Sequence, residues 1–315
     1  MHFKSIFDTT NEMVSIPNKP KLVVVLGPTS SGKSDLAVII AKKFNGEIVS
    51  TDSRQVYKGL DIGTGKVTKR EKAGIPHHLL DVADPKRRYS VSRFKREAEK
   101  AIRDIARRNK LPILCGGTGF YIQAVVDDIL FPEVKPNLIL RKKLGKLSTE
   151  NLFAQLKKLD KHRASEIDRY NPHRLIRAIE IATKLGRVPH MEIRPSSKYD
   201  VLQIGITTED NVLKKRISKR LLKRMRRGMV AEAKRMNDQG VSWRRMEEIG
   251  LEYKYLALYL QNKLPKDQML EQLETAIWHY AKRQKTWFKK DTRTKWVQFD
   301  EQEKTLGYVS NFLQF

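Results

Sequence analysis

The chain has 315 residues, with 63 lysines and arginines against 36 aspartates and glutamates, which gives a formal net charge of +27. This excess favours a polyanionic partner such as nucleic acid over a membrane surface, because the basic stretches lack flanking bulky apolar clusters. The single cysteine, Cys115, excludes an intrachain disulfide and a cysteine-rich zinc module, and the lack of a long apolar run or a signal-peptide core predicts a cytoplasmic protein with no membrane segment.

The first predicted element is a strand that leads into a phosphate-binding loop. Leu22–Leu26 is a continuous apolar run, as expected for a parallel strand buried on both faces, and the helical pattern DLAVIIAKKF follows at Asp35. Between them lies the pattern GxxxxGKS, whose backbone N–H groups and lysine bind phosphate and whose final hydroxyl binds a magnesium ion carried on the phosphates. The predicted phosphate-binding residues are Gly27, Pro28, Thr29, Ser30, Ser31, Gly32, Lys33 and Ser34, with Ser34 as the Mg²⁺ ligand.

Further strands and helices alternate along the chain. Apolar strand patterns are GEIVSTD ending at Asp52, LPILCGG ending at Gly117, VLQIGITT from Val201 and a last strand TKWVQF, and a helix begins at Val91 with Phe94, Ala98, Ile102 and Ile105 on one stripe. This alternation predicts an α/β fold with a doubly wound parallel sheet. Ligands bind at the carboxyl ends of such strands, so the loop, Asp52 and the GGTG segment are expected to share one pocket.

The pattern changes between Phe131 and Asp200, where helical segments replace the strands. We interpret residues 131–200 as a helical insertion domain and residues 1–130 with 201–315 as the catalytic core. The core ends in a mostly helical region that contains the basic amphipathic stretch KKRISKRLLKRMRRGM, Lys214 to Met229. Its early residues follow a strand and are expected to reach over the phosphate pocket.

Asp52 is the candidate proton acceptor. A carboxylate at this strand end could instead belong to a magnesium shell, but the later strand LPILCGG carries no acid, which argues against nucleotide hydrolysis. An ionised carboxylate at neutral pH is ready to accept a proton from a substrate.

Two other features carry less specific signals. The adjacent His77 and His78 favour hydrogen bonding over metal binding, and the aromatic residues of IWHYAKRQKTWFKK, spaced as on a helix, favour a place in the core over base stacking.

Several segments together resemble the tRNA dimethylallyltransferase family, also called the tRNA isopentenyltransferase family. They are GPTSSGKS, DSRQVYKGLDIGTGK, GIPHHLLDVADP, GGTGFYIQAV, NPHRLIRAIE and YAKRQKTWF, in the family's order, and they span Lys21 to Lys290. The resemblance implies transfer of a dimethylallyl group from dimethylallyl diphosphate to the N6 amine of the adenosine 3′ of the anticodon. The acceptors would be tRNAs that read codons beginning with U, and the product N6-isopentenyladenosine.

The resemblance also implies roles for individual residues. Lys33, Arg220 and Mg²⁺ on Ser34 would stabilise the diphosphate leaving group, with Arg216 as the competing choice of arginine, and Asp52 would take the proton from the amine. The implied contacts to the tRNA anticodon stem-loop are Asp52, Ser53, Arg54, Gln55, Thr118, His173, Arg174 and Arg177. The sequence departs from the family at His173, where glutamine is usual, at IGLEY from Ile249, where IGYKE is usual, and in a short insertion. We expect a monomer.

Two rival enzymes share parts of this pattern. A small-molecule kinase would have a similar loop and lid arginines, but the missing acid and the charge of +27 argue against it. An adenylate isopentenyltransferase would prenylate free AMP, ADP or ATP and needs no large basic face. A binding module for RNA without catalytic activity leaves the acid beside a phosphate loop unexplained.

Overall fold

A computed structural model describes residues 19–190 and 198–314. Within these residues six strands form one sheet in which every pair is parallel, in the order β3-β2-β4-β1-β5-β6. The strands are β1 Lys21–Leu26, β2 Gly46–Ser50, β3 His77–His78, β4 Leu111–Gly116, β5 Asp200–Ile206 and β6 Thr294–Val297. The predicted doubly wound parallel α/β sheet is confirmed.

The central strands are buried because their sequences are apolar on both faces. Leu22, Val23, Val24 and Val25 of β1 are each 0% exposed. β1 hydrogen-bonds to β4 on one side and to β5 on the other, with Leu26 opposite Gly116 and Gly205. The three strands therefore end at the same level, and the loops that follow them open at one edge of the sheet.

Helices connect the strands along the chain and follow the last strand. They are α1 Lys33–Lys43, α2 Lys69–Lys72, α3 Val91–Arg107, α4 Gly119–Val126, α5 Leu138–Leu144, α6 Thr149–Leu159, α7 Lys161–Glu166, α8 Pro172–Leu185, α9 Asp210–Arg226, α10 Met229–Asp238, α11 Trp243–Ile249, α12 Leu251–Leu260, α13 Lys266–Phe288 and α14 Gln302–Gln314. The predicted helix at Val91 is confirmed: Ser90 caps it by accepting the N–H of Arg93, and Phe94, Ala98, Ile102 and Ile105 are buried.

The chain divides into two compact units, one of residues Met1–Ile122 with Lys198–Phe315 and the other of Gln123–Ser197. The smaller unit contains α5 to α8 and has its own apolar core, built around Leu152, Leu156 and Leu175. The buried carboxylate of Glu180 accepts hydrogen bonds from the side chains of Arg141 and Arg177. The end of the predicted insertion, residues 131–200, lies partly outside the described residues, which omit 191–197.

Three short elements were not predicted. β3 has two residues, α2 has four and α7 has six, so none is long enough to show a hydrophobic period. β3 exists because its backbone pairs with Ile48 and Val49 of β2. A search of the described helices for one long and apolar enough to cross a membrane finds no candidate.

The stacked pair of Phe94 and Tyr121 provides a test of the core. Their ring centroids are 4.0 Å apart and Phe94 is 0% exposed. We expect Phe94→Ala to lower the free energy of unfolding by about 3–5 kcal/mol, because it removes buried area and leaves a cavity. Leu222, which is 45% exposed on α9, is the control, and Leu222→Ala should change stability by less than about 0.5 kcal/mol. Equal effects of the two changes in urea-unfolding experiments would contradict this description of the core.

Candidate active site

The phosphate loop connects β1 to α1 in a shape that requires glycine. Gly27 and Gly32 have φ angles of 156° and 97°, and a Cβ on Gly32 would lie 2.6 Å from the ring of Phe299. Ser30 also has a positive φ, 63°. No side chain caps the N-terminus of α1, so the N–H groups of its first turn remain available to an anion.

Lys33 supplies the positive charge of the loop. Its Nζ donates to the carbonyl of Pro28 at 3.1 Å, within the loop itself. Burial lowers the pKa of Lys33; the charge of Arg220 lowers it further, while Cys115 and Asp52 act in the opposite direction. A negatively charged ligand would favour the charged form of this lysine, so the loop gains most from binding a polyanion such as a diphosphate.

Asp52 lies just beyond the end of β2, in a turn that its own side chain stabilises. Its Oδ1 accepts the backbone N–H groups of Arg54 at 2.8 Å and of Gln55 at 3.3 Å. The turn is joined to the segment after β4, because Ser53 N–H donates to Thr118 Oγ1 at 3.1 Å. One oxygen of Asp52 is therefore occupied with positioning, while Oδ2 makes no hydrogen bond to the part of the chain that the structure describes.

Arg220 reaches this site from α9. Its Nη2 donates to the carbonyl of Gly65 at 2.9 Å, and the side chain lines the cavity. Arg216, one helical turn earlier, is exposed and does not line the cavity. The structure thus favours Arg220 over Arg216 as the arginine that faces the phosphate loop.

These groups surround one cavity of about 540 Å³, within the usual range for a ligand site. Its walls combine charged and polar groups with apolar side chains such as Ile48, Leu80 and Ile277. Nine of the residues predicted for the site line it: Thr29, Lys33, Ser34, Asp52, Ser53, Arg54, Gln55, Thr118 and Arg220. Gly27, Pro28, Ser30, Ser31 and Gly32 complete the loop without lining the cavity, and Ser31 is 0% exposed.

The remaining predicted residues belong to the helical unit of Gln123–Ser197. His173 and Arg174 are exposed in the first turn of α8, where Asn171 caps the helix. Arg177 is different, because its guanidinium donates to Glu180 and to the carbonyl of Val134. Arg174 is therefore free to contact a partner, whereas Arg177 already stabilises its own unit.

Gln284 is a site residue that sequence reasoning missed. Its Oε1 accepts the N–H of Thr29 at 2.9 Å and its Nε2 donates to the carbonyl of Gly117 at 2.8 Å. A Cβ on Gly117 would lie 2.3 Å from this Nε2, so the glycine is needed for the contact. Gln284 thereby joins the phosphate loop to the segment after β4, and only the family motif YAKRQKTWF pointed toward it.

The expectation that the aromatic residues of α13 lie in the core is wrong for most of them. Phe288 is buried, but Trp278 and Tyr280 are half-buried and Trp287 is 41% exposed. Tyr280 lines the cavity, and burial raises its pKa to about 12, which keeps the phenol neutral. The helical period predicts which residues share a face of α13, but it does not predict what that face meets. The face that carries Tyr280 meets the cavity rather than the core.

The two histidines form hydrogen bonds, as predicted. His77 Nδ1 donates to the carbonyl of Ile75 at 2.9 Å, and His78 Nε2 lies 2.8 Å from Glu47 Oε2. Cys115 lies at the base of the cavity, and burial raises the pKa of its thiol to about 12, so it stays protonated. Neither feature introduces a nucleophile into the site.

The residues present fit a magnesium ion that arrives with its substrate. Among residues 19–190 and 198–314, no group of three or more His, Cys, Asp and Glu side chains could hold a metal. Mg²⁺ commonly binds one or two protein oxygens and completes its octahedron with substrate phosphates and water. Ser34 offers one hydroxyl oxygen on the cavity wall beside the phosphate loop, which suits such an ion.

Comparison with known proteins agrees with this geometry. The family model described as IPP transferase matches residues 55–291, and the model described as isopentenyl transferase matches residues 20–84. A tRNA dimethylallyltransferase of Anoxybacillus flavithermus is 40% identical over 290 residues, which cover 91% of this chain and 92% of the relative. The tRNA dimethylallyltransferase 2 of Treponema denticola is 42% identical over 296 residues, which cover 91% and 98% of the two chains.

Solved structures give the same result. The full-length tRNA isopentenylpyrophosphate transferase of Bacillus halodurans superposes with a TM-score of 0.72 at 34% identity, covering 94% of this chain and 97% of that one. A eukaryotic dimethylallyltransferase acting on tRNA superposes with a TM-score of 0.79 at 26% identity, covering 94% and 80%. With its phosphate loop, its strand-end carboxylate and relatives about 40% identical over most of its length, the chain belongs to the tRNA dimethylallyltransferase family.

Proposed function

We propose that this protein transfers the dimethylallyl group of dimethylallyl diphosphate to N6 of the adenosine that follows the anticodon in tRNAs reading codons that begin with U. The observation that carries the proposal is one cavity shared by a phosphate loop and a carboxylate with a free oxygen, Asp52 Oδ2. A kinase or hydrolase would need an acid near the strand end of β4, and Gly116, Gly117 and Thr118 stand there instead.

The diphosphate would lie against the phosphate loop. Breaking the C1–O bond leaves negative charge on the diphosphate, and Lys33, Arg220 and the N–H groups at the start of α1 are placed to stabilise it. Among the described residues, Lys33 and Arg220 donate to the neutral carbonyls of Pro28 and Gly65 and form no ion pair with a carboxylate, so a diphosphate would meet two positive charges. When bound through Ser34, Mg²⁺ would add further stabilisation of the leaving oxygens.

Asp52 would act on the amine. As the bond between N6 and C1 forms, nitrogen becomes acidic and its proton passes to the free carboxylate oxygen. A neutral exocyclic amine is too weak an acid to lose the proton beforehand, so proton transfer accompanies bond formation. The turn that ties Oδ1 to Arg54 and Gln55 would fix the direction of Oδ2.

The tRNA would present its adenosine to the same cavity. A base stacked in a loop reaches a recessed pocket only after it is flipped out. The segment Asp52–Gln55 and Thr118 would bind this nucleotide, since they line the cavity and are joined by the bond from Ser53 to Thr118. His173, Arg174 and Arg177 of the helical unit would also contact the tRNA. We also propose that the protein acts as a monomer in the cytoplasm, where its tRNA substrate is found.

The acceptor is tested by incubating the protein with labelled dimethylallyl diphosphate and, separately, with unmodified tRNA, AMP and ATP. We expect label in tRNA, recovered after digestion as N6-isopentenyladenosine, and none in AMP or ATP. Lys33→Ala should reduce the incorporation strongly, because it removes a charge from the leaving-group site. If label instead entered AMP and none entered tRNA, the protein would be an adenylate isopentenyltransferase.

Asp52 is tested by two substitutions. We expect Asp52→Ala and Asp52→Asn each to slow the chemical step by about a hundredfold or more, the usual scale for a general base. Asp52→Asn retains an oxygen that accepts the N–H groups of Arg54 and Gln55, so it should keep tRNA affinity within a few-fold. The measurement is a single-turnover rate at saturating tRNA and donor. Rates close to wild type in both variants would exclude Asp52 as the base.

The basic helical unit is tested through the salt dependence of tRNA binding. Each phosphate contact releases counterions, so log affinity should fall linearly with log salt, with a slope of several units for the wild-type protein. Arg174→Ala should lower this slope by about one unit. Arg177→Ala is expected to destabilise the helical unit as well, since Glu180 loses a partner. A flat salt dependence for the wild type would contradict a tRNA footprint.

A further inference from the structure

The segment Leu60–Lys66, LDIGTGK, lies beside the cavity but supplies no charged group to it. Only Thr64 of these residues lines the cavity. The backbone of the segment is nevertheless held at almost every peptide by side chains from α9 and α10. Such dense support indicates that the position of this loop matters.

The first of these side chains is Glu232 on α10, which is 1% exposed. Its Oε2 accepts the N–H groups of Asp61 at 2.9 Å and Ile62 at 2.8 Å, and its Oε1 accepts that of Gly63 at 2.7 Å. Tyr253 adds a fourth bond, from its hydroxyl to Oε1 at 2.7 Å. Three successive N–H groups form a concave anion site, and here the anion is a carboxylate of the protein itself.

The second is Arg224 on α9, which is 8% exposed. Its guanidinium donates to the carbonyls of Ile62 and Gly63 and to Glu252. Ile62 and Gly63 are therefore each held by an anion at the N–H group and by a cation at the carbonyl. This arrangement leaves the loop very little freedom to shift relative to α9.

The carbonyl of Gly65 transmits this fixed position to the cavity. It accepts Arg220 Nη2 at 2.9 Å and Gln55 Nε2 at 3.4 Å. Gly65 has a φ of 60°, and a Cβ there would lie 2.5 Å from Arg220 Nη2, so the arginine packs directly on the loop. Arg220 thus depends on the loop for its direction, and the loop depends on Glu232.

We propose that Glu232 is a positioning residue for prenyl transfer, which acts through the Leu60–Lys66 loop to hold Arg220 at the diphosphate. The proposal rests on the proposed function, because it assigns Arg220 to the leaving group. Glu232 does not line the cavity. A misplacement of a charged group by about 1 Å can reduce a rate by about a hundredfold, so a buried residue one contact removed has a measurable effect on catalysis.

A purely structural role for Glu232 predicts a different result. In that case the loss of Glu232 would lower stability. Any reduction in kcat/KM that it caused would be the same factor whether or not Arg220 is present. If Glu232 acts through Arg220, its effect disappears once Arg220 is absent. A double-mutant cycle separates the two roles.

The cycle compares the wild type with Glu232→Gln, Arg220→Ala and the double variant. We measure kcat/KM for dimethylallyl diphosphate at saturating tRNA, and the Kd of inorganic pyrophosphate by calorimetry. Glu232→Gln should reduce kcat/KM and pyrophosphate affinity by about tenfold in the wild-type background, and by less than about twofold in the Arg220→Ala background. Effects that multiply in both measurements, or no effect of Glu232→Gln, would overturn the proposal.

Glu47 provides the matched control. It is also a buried carboxylate, 2% exposed, and it pairs with Arg108, Lys110 and His78 away from this loop. Glu47→Gln should lower Tm but leave pyrophosphate affinity unchanged in both backgrounds. If Glu232→Gln does not fold, Tyr253→Phe removes one of the four hydrogen bonds to Glu232 and should reduce pyrophosphate affinity about two- to fivefold, again only when Arg220 is present. An equal loss without Arg220 would contradict the proposal.

The two readouts also separate this proposal from the function on which it rests. If the wild type transfers no prenyl group to tRNA, the proposed function fails while the pyrophosphate cycle still measures whether Glu232 positions Arg220. If transfer occurs and the cycle shows independent effects, the function stands and the role of Glu232 is wrong.

Discussion

The pairing of β1 with two parallel neighbours is the constraint on which the site depends. Because Leu26 lies opposite both Gly116 of β4 and Gly205 of β5, the segments that leave these strands start at the same edge of the sheet. Ser50 of β2 lies opposite Cys115 of β4, which brings the turn of Asp52 to the same edge. Residues far apart in the chain therefore share a wall of one cavity, because the strands that precede them are paired.

Electrostatics then determines what the cavity can hold. In the described part of the chain, Lys33 and Arg220 donate to carbonyl oxygens and form no direct ion pair, although Asp52 favours the charged form of both. Burial lowers the pKa of both residues, which shows that each charge is kept at a cost in hydration. In the proposed reaction a diphosphate would supply the missing negative charge, and its affinity would come in part from relieving this cost.

The charged side chains of the site are positioned mainly by backbone groups, and the neutrality of a carbonyl explains why. A carboxylate could hold an arginine in place, but it would neutralise the charge that the reaction needs. The carbonyl of Gly65 fixes Arg220 and leaves its charge available, and Gln284 fixes the phosphate loop through the N–H of Thr29 without adding any charge. Positioning by dipoles thus preserves the positive potential of the site.

Local signals in the sequence determined the phosphate loop, the buried β1 strand and the helix at Val91, because a glycine pattern and an apolar period need only neighbouring residues. The same signals, read together with family motifs, placed Asp52 and Thr118 in one pocket. The family resemblance named Arg220 with Arg216 as the competing choice, and the tertiary structure favoured Arg220, because the two lie on successive turns of α9 and only Arg220 lines the cavity. It also identified Gln284 and Glu232, whose backbone partners are more than 160 residues away, and it showed Trp287 exposed where its period favoured the core. A hydrogen bond between distant segments leaves no periodic trace in a sequence, so only the folded chain could decide it.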